Sequence, residues 1–193
     1  ILSRYHLLLI VSKRIIDYMQ TYVLAGGCFW CLDAVFRQLN GVESSVCGYA
    51  GGSEADADYY RVMSGTTGHA ESVEVTFDET IIPSADLLDL FFLIHDPTTK
   101  NRQGNDVGPQ YRSAMFYKNN QHKVEFEAAI ERAQKHWDNP IVTELTPLEK
   151  FYEAEPEHQD YFNNNPANPY CSVVISPKII KARNAYSKYF KEV

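Results

Sequence analysis

The spacing between apolar positions along this chain switches repeatedly between two residues and about three and a half, which predicts alternating strands and helices. Strands are predicted where apolar residues form a short run or alternate with polar ones, at 22–25, 42–49, 72–77 and 113–117. Helices are predicted where apolar residues recur at helical spacing, at 28–39, 84–94, 120–137 and 179–190. Weaker patterns predict strands at 141–145 and 172–175. The chain is therefore expected to form one mixed α/β domain.

The composition is that of an ordinary globular chain and excludes several classes of function. With 193 residues and 45% apolar content, it can bury a substantial core without disulfides. Its formal charge of −7 argues against binding to nucleic acids or anionic membranes, both of which need a basic face. Four cysteines are too few for a disulfide framework, so we expect a reducing compartment, the cytoplasm. The chain is also expected to be a monomer.

Residues 1–18 are expected to be an N-terminal extension outside the functional domain, which we place at 19–193. Their apolar run at 7–11 has five residues, fewer than a signal peptide or a membrane span requires. Met19 directly precedes the first predicted strand. The extension is interpreted as an added helix or as a cloning or start-site artefact.

The strongest chemical signal is the segment GGCFWC at residues 26–31. It places Cys28 where a strand turns into a helix, beside the aromatic side chains of Phe29 and Trp30. Free backbone N–H groups and the helix dipole favour an anion at this position, and the thiolate is the nucleophilic form of cysteine. Most cysteines only pack in the core, but two glycines and a surface turn argue against burial here. We therefore predict that Cys28 is an exposed, reactive thiol.

Three loop segments carry more polar and aromatic groups than simple connections need: 48–60, 65–71 and 103–113. Each one alone is explained by turns, since glycine, asparagine and aspartate are common turn residues. Together with a reactive thiol, they supply the groups for a reaction at a polar oxygen. Glu71 can act as an acid, and tyrosines can donate hydrogen bonds to that oxygen.

From Met19 to its C-terminus, the chain resembles the A-type methionine sulfoxide reductases, peptide-methionine (S)-S-oxide reductases. The matching motifs occur in order along the sequence: GCFW at 27–30, GYAGG at 48–52, SGTTGHAE at 64–71, HDP at 95–97, RQGND at 102–106, QYRS at 110–113 and HQDY at 158–161. There are two departures. Asp56-Ala57-Asp58 replaces the usual Asn-Pro-Thr, and Met63 stands where a cysteine is common.

The resemblance implies a two-layer, ferredoxin-like α/β (α+β) fold with a long irregular C-terminal segment. It assigns Cys28 as the nucleophile and Glu71 as the acid. It also assigns a polar pocket, formed by Tyr59, Asp106 and Tyr111. Phe29 and Trp30 are assigned as the apolar wall that holds the substrate methyl group.

The reaction implied by the resemblance is thiol-dependent reduction of methionine-S-sulfoxide, free or in oxidised proteins, which repairs those proteins. Cys28 becomes a sulfenic acid, and a second thiol converts it to an intramolecular disulfide. Thioredoxin or another external dithiol then reduces that disulfide. The chain itself is expected to bind no metal or other cofactor.

The sequence leaves the second, resolving thiol open between Cys171 and Cys31. Cys171 follows an Asn- and Pro-rich stretch that predicts irregular backbone able to move over the site. Cys31 lies one helical turn from Cys28, at a spacing that a disulfide can bridge. Cys47 is a third possibility. Alternatively, Cys171 opens a buried strand with Val173 and Ile175, and Cys31 only packs in the core.

Two other functions fit parts of the pattern. The C-x-x-C motif of Cys28 and Cys31 also occurs in thioredoxin-like disulfide oxidoreductases, but that function leaves the segments around Glu71 and Tyr111 unused. A zinc-binding module would use Cys28, Cys31, Cys47 and His69. Their spacing fits no common zinc pattern.

Overall fold

The structure is a computed structural model that describes residues 18–192. The predicted N-terminal extension, apart from Tyr18, lies outside the described residues. The described residues form eight strands: β1 (Met19–Gly26), β2 (Val42–Ala50), β3 (Ala70–Asp78), β4 (Arg102–Gln103), β5 (Asp106–Val107), β6 (Ser113–Tyr117), β7 (Glu144–Pro147) and β8 (Phe151–Glu153).

Six of these strands form one sheet in the order β7-β6-β1-β3-β2-β8. Neighbouring strands are antiparallel except for β6 and β7, which are parallel. The inner four strands, β6-β1-β3-β2, have the order and directions of the ferredoxin-like plait, which confirms the expected fold. Strands β4 and β5 form a separate two-stranded ribbon.

The helices of the described chain are α1 (Phe29–Phe36), α2 (Tyr59–Met63), α3 (Ser84–Ile94), α4 (Asn120–Gln134), α5 (Tyr161–Asn164) and α6 (Ser176–Tyr186). Asn119 caps α4, because its side chain accepts a hydrogen bond from the His122 N–H. Ser84 is the first residue of α3, and Pro83 precedes it as the cap residue. None of these helices is both long enough and apolar enough to cross a membrane.

The main core lies between one face of the sheet and the helices. In β1, Tyr22 and Leu24 point to this side and belong to the large cluster of buried side chains. Val23 and Ala25 point to the opposite face and join a small second cluster. This period of two matches the pleat of a strand that is covered on both faces. Full burial of each large apolar side chain stabilises the fold by about 1.5–3 kcal/mol.

The predicted strand at 172–175 is wrong, because Cys171–Ile175 forms a π-helical turn that leads into α6. Cys171 and Ile175 are buried while Val173 is 72% exposed, which is a helical pattern and not a strand alternation. The Ser176 hydroxyl donates to the Cys171 carbonyl at 2.9 Å and closes the turn.

The ends of several other elements differ from their predicted positions. The first helix ends at Phe36, because Leu39 pairs with Phe190 in an isolated bridge. The strand predicted at 141–145 begins at Glu144, and the last helix begins at Ser176. The chain between β7 and α6 contains only short elements, in agreement with the expected irregular C-terminal segment.

Candidate active site

Cys28 stands at the junction of β1 and α1, as its sequence context predicts. The preceding Gly27 has φ +94°, and a Cβ there would lie 2.4 Å from Gln103 Cγ, so this turn requires glycine. The prediction that Cys28 is exposed is wrong, since it is only 6% exposed. The aromatic side chains that follow it and the C-terminal segment close the site from solvent.

Cys28 lies against a small cavity of about 60 Å³. All seven residues predicted for the nucleophile, acid, pocket and wall line this cavity, together with one that was not predicted: Cys28, Phe29, Trp30, Tyr59, Glu71, Asp106, Tyr111 and Tyr170. The structure therefore brings every predicted pocket residue together, although they come from distant parts of the chain.

Glu71 reaches Cys28 because β1 and β3 are antiparallel neighbours. Leu24 pairs with Val73, so the end of β1 lies beside the start of β3. The Glu71 side chain is 2% exposed, and its Oε2 accepts a hydrogen bond from the Phe29 N–H at 2.9 Å. Burial raises the pKa of Glu71 to about 8, with a smaller contribution from the negative charge of Asp106. Glu71 is therefore a neutral carboxylic acid at pH 7 and has a proton to donate.

The side chains of Cys28 and Cys31 lie one helical turn apart and interact, so each affects the pKa of the other. Burial, the interaction with Cys31 and the charge of Glu71 raise the pKa of Cys28 well above its ordinary value. The same interaction, with help from the Lys178 cation, lowers the pKa of Cys31 to about 7. Cys31 therefore loses its proton near neutral pH, while Cys28 keeps its own. A neutral Glu71 removes the repulsion that disfavours a thiolate on Cys28.

Tyr59, and not Tyr60, faces the cavity. The Tyr59 N–H donates to Glu155 Oε1 at 2.9 Å, and its ring packs on His158 with 4.4 Å between centroids. Tyr60 is 85% exposed. Burial and the charges of Glu71 and Cys28 raise the pKa of Tyr59, so its hydroxyl keeps its proton.

Tyr111 and Tyr170 bring two further hydroxyl groups to the cavity. The Tyr111 hydroxyl donates to the sulfur of Met63 at 3.3 Å. The Tyr170 hydroxyl donates to Asp106 Oδ2 at 2.8 Å and lies 3.8 Å from the Cys31 sulfur. Burial raises the pKa of both phenols, so both remain donors. Sequence reasoning missed Tyr170, although its position next to Cys171 was the available signal.

A stretch of the C-terminal chain, residues 155–170, lies over the site; we call it the cover segment. Its Tyr161 ring stacks on Trp30 with 3.7 Å between centroids and 8° between planes. His158 packs 5.4 Å from the Phe29 ring. Asn168 donates to the Tyr161 hydroxyl at 2.8 Å, which ties the middle of the segment to its C-terminal part. The segment therefore supplies aromatic and polar groups from a part of the chain that is distant in sequence from Cys28.

Comparison with known proteins gives this constellation a context. The family model described as "Peptide methionine sulfoxide reductase" matches residues 20–190. The chain belongs to this family. The relative named "Peptide methionine sulfoxide reductase MsrA" from Paenarthrobacter aurescens is 59% identical over 171 residues, which cover 89% of this chain and 98% of the relative. The protein of the same name from Leptospira borgpetersenii is 49% identical over 90% of this chain and 99% of its own length.

Solved structures of similar proteins share the fold. Mxr1 from Saccharomyces cerevisiae in its reduced form superposes with a TM-score of 0.76 at 36% identity, over 80% of this chain and 90% of Mxr1. Methionine sulfoxide reductase A of Corynebacterium diphtheriae gives 0.69 at 32% identity, over 78% and 77% of the two chains. Mxr1 in complex with Trx2 gives 0.53 at 28% identity, over 75% and 86%.

The other two cysteines of this family member are buried free thiols outside the cavity lining. Cys171 is 2% exposed and directly follows the cavity residue Tyr170; burial and the charge of Cys31 raise its pKa. Cys47 is fully buried in β2.

The zinc alternative is not supported by the environment of His69. Its Nδ1 accepts a hydrogen bond from the Gly52 N–H at 3.2 Å, and its Nε2 lies 2.9 Å from the Ser53 carbonyl. Within residues 18–192, no cluster of three or more His, Cys, Asp or Glu side chains could hold a metal ion.

Proposed function

We propose that this chain reduces methionine-S-sulfoxide to methionine, free and in oxidised proteins, with Cys28 as its nucleophile. The observation that carries the proposal is that the Cys28 thiol and the neutral carboxylic acid of Glu71 line one small cavity. A disulfide oxidoreductase with the Cys28–Cys31 motif needs no buried acid at this place. The methionine sulfoxide reductase function uses the thiol, the acid, the tyrosine hydroxyls and the aromatic wall that line the cavity.

The first step is activation of the sulfoxide. Its sulfur becomes a good electrophile only when the oxygen is protonated or strongly hydrogen-bonded. Glu71 is the proton donor, because burial keeps it protonated at neutral pH. The hydroxyls of Tyr59 and Tyr111 donate hydrogen bonds that hold the same oxygen.

The second step is attack by the Cys28 thiolate on the sulfoxide sulfur. The sulfur–oxygen bond of the substrate breaks, methionine leaves with its sulfur reduced by two electrons, and the oxygen ends on Cys28 as a sulfenic acid. In the empty site the thiolate near neutral pH is on Cys31, and a proton passes from Cys28 to Cys31 as the attack begins. Phe29 and Trp30 offer an apolar wall to the substrate methyl group, and this contact orients the sulfur toward Cys28.

The third step forms a disulfide with a second thiol, for which we propose Cys171. Tyr170, its neighbour in the chain, already lies in the cavity beside the sulfur of Cys31. Displacement of the Tyr170 hydroxyl from Asp106 by the substrate would remove an anchor and free Cys171 to move. Cys31 remains the competing candidate, because it lies one helical turn from Cys28.

Reduction of that disulfide by an external dithiol closes the cycle, and we propose a thioredoxin for this role. The similar protein Mxr1 has been solved in complex with Trx2. Four free thiols and the need for a dithiol fit a reducing compartment, and we place the enzyme in the cytoplasm as a monomer.

The proposed function is tested by a single turnover without reductant. Wild-type enzyme should release about one methionine per molecule from methionine-S-sulfoxide and none from the R epimer, because each epimer has its own enzyme. Cys28→Ser should release none, because a serine hydroxyl is a far weaker nucleophile than a cysteine thiolate.

Cys47→Ser is the matched control, since Cys47 is a buried thiol outside the cavity, and it should release as much methionine as the wild type. Full release by Cys28→Ser, or disulfide exchange without any methionine release, would contradict the proposal.

A further inference from the structure

In the unliganded site, the hydroxyl of Tyr111 is bound to the sulfur of a methionine of the chain itself. Met63 is the last residue of α2, and Tyr111 ends the short turn Pro109–Tyr111. The hydroxyl donates to Met63 Sδ at 3.3 Å. A phenol has one proton to donate, so Tyr111 can hold a sulfoxide oxygen only after it leaves the Met63 sulfur.

The contact lies between two well-fixed backbone segments. The side chain of Gln110, which is 5% exposed, donates to the Met63 carbonyl at 3.4 Å and so ties the end of α2 to the turn. At the other end of α2, the Asp58 side chain accepts a hydrogen bond from the Arg61 N–H. Tyr111 and Met63 therefore meet because of the local fold, and Tyr111 has this partner whenever the site is empty.

The strength of the contact depends on the oxidation state of Met63. A thioether sulfur is a weak acceptor, so the substrate sulfoxide displaces it easily from Tyr111. A methionine sulfoxide at position 63 would present the same strong acceptor oxygen as the substrate. It would retain the Tyr111 hydroxyl in competition with any substrate in the cavity.

Among the three methionines of the chain, Met63 combines access with this contact. Met115 is fully buried in β6 and shielded from oxidants. Met19 is half-buried at the start of β1, where it pairs with Asp78 of β3. Cys28 lies beyond the other end of β1, so Met19 is far from the cavity. Met63 is half-buried and beside the cavity.

We propose that Met63 is an oxidation site that switches the enzyme off by capturing Tyr111. The inference rests on the proposed role of Tyr111 in holding the substrate oxygen. The oxidant is a peroxide: its O–O bond breaks, an S–O bond forms on Met63, the sulfur loses two electrons, and water leaves when the oxidant is hydrogen peroxide. The S epimer of oxidised Met63 is a substrate for a second enzyme molecule, whose Cys28 takes the oxygen, whereas the R epimer persists.

The first test uses substitutions and single-turnover rates. Met63→Gln places an amide oxygen, a strong acceptor, near the sulfur position and should lower the rate about tenfold. This is less than the roughly 10²–10³-fold cost of removing one donor to a reacting oxygen, because the amide oxygen only competes for the Tyr111 hydroxyl. Met63→Leu offers no acceptor and should stay within twofold of the wild type. An equal loss in both variants, or none in Met63→Gln, would overturn the proposal.

Adding Tyr111→Phe separates this inference from the proposed function. Tyr111→Phe should lower the rate by itself, and Met63→Gln should then cost less than a further twofold. If Tyr111→Phe alone changes nothing, both the role of Tyr111 and the switch fail. If Tyr111→Phe lowers the rate but Met63→Gln costs tenfold in that background as well, only the switch fails.

The second test oxidises the protein directly. The thiols are first blocked as methyl mixed disulfides, hydrogen peroxide is added and then removed with catalase, and dithiothreitol starts the assay. The wild-type rate should begin low and rise to a plateau below that of untreated enzyme, as the S epimer is repaired and the R epimer is not. Met63→Leu, which keeps Met19, should begin at its full rate.

Peptide mass mapping shows whether the oxygen is on Met63. Full initial activity of wild-type enzyme with Met63 oxidised would overturn the proposal, and so would an equal loss in Met63→Leu.

Discussion

At the scale of single residues, the chemistry of the site follows from what burial does to each ionisable group. Glu71 loses nearly all contact with water and is kept neutral, although the Phe29 N–H favours its charged form. Cys28, at the start of a helix, is kept in its thiol form by the same burial, while the pKa of the neighbouring Cys31 is lowered to about 7. Burial away from water therefore keeps both the Glu71 carboxylic acid and the neighbouring Cys28 thiol protonated.

The role of Glu71 is tested by Glu71→Gln, which keeps the shape of the side chain but removes its proton. We expect the single-turnover rate at pH 7 to fall by about 10²–10⁴-fold. In the wild type, the rate should also fall as the pH rises through about 8, where Glu71 ionises, and the variant should lack this limb. Rates from pH 6 to 10 are measured by rapid quench.

Glu74→Gln is the matched control for that experiment. Glu74 lies in the same strand and pairs with Lys118 near the surface, so its loss should leave the rate unchanged. If Glu71→Gln lowers the rate by less than threefold, the proton comes from a tyrosine or from water instead.

At the scale of elements, sequence periodicity predicted most of the secondary structure but failed on one short apolar run. Strand β3 and helix α3 were found because each repeats its pattern over many residues. The run from Ser172 to Ile175 is too short to separate a period of two from a helical one. The Ser176 hydroxyl and the Pro177 ring at the start of α6 decide the outcome, and neither belongs to the run itself.

That local result bears on Cys171, the first residue of the π-helical turn. A π-helical turn is rare and frequently occurs at functional sites, and we infer that this one unwinds to let Cys171 leave its buried place. After one turnover, we expect peptide mapping of quenched, denatured and alkylated enzyme to show a Cys28–Cys171 disulfide. Cys171→Ser should accumulate the Cys28 sulfenic acid, which dimedone traps.

Cys31→Ser is the comparison that decides between the two thiols. It should still form the Cys28–Cys171 disulfide, because Cys31 is not required as a partner. A Cys28–Cys31 disulfide in the wild type, with Cys171 alkylated, would show that the resolving thiol is Cys31.

At the scale of the whole molecule, the site is made by the sheet topology. Cys28 and Glu71 are neighbours because β1 and β3 run antiparallel, and Asp106 and Tyr170 arrive from a ribbon and from the cover segment. Periodicity marks strands without giving their order, so the residues alone predicted a reactive Cys28, Glu71 as an acid and tyrosine donors, but not that they lie together. The pocket assignment of Tyr59, Asp106 and Tyr111 came from the resemblance, which carries the topology with it.

The stacking of Tyr161 on Trp30 turns the cover segment into an optical reporter. The chain has two tryptophans, and Trp137 follows α4, outside the residues that line the cavity. In a Trp137→Phe background, the emission comes from Trp30 alone. Departure of Tyr161 exposes the indole to water, so we expect its emission to shift to longer wavelength when the enzyme is oxidised by substrate and to return on reduction. Stopped-flow fluorescence then times the opening of the site without a label, and a constant spectrum through the cycle would show that the cover segment stays in place.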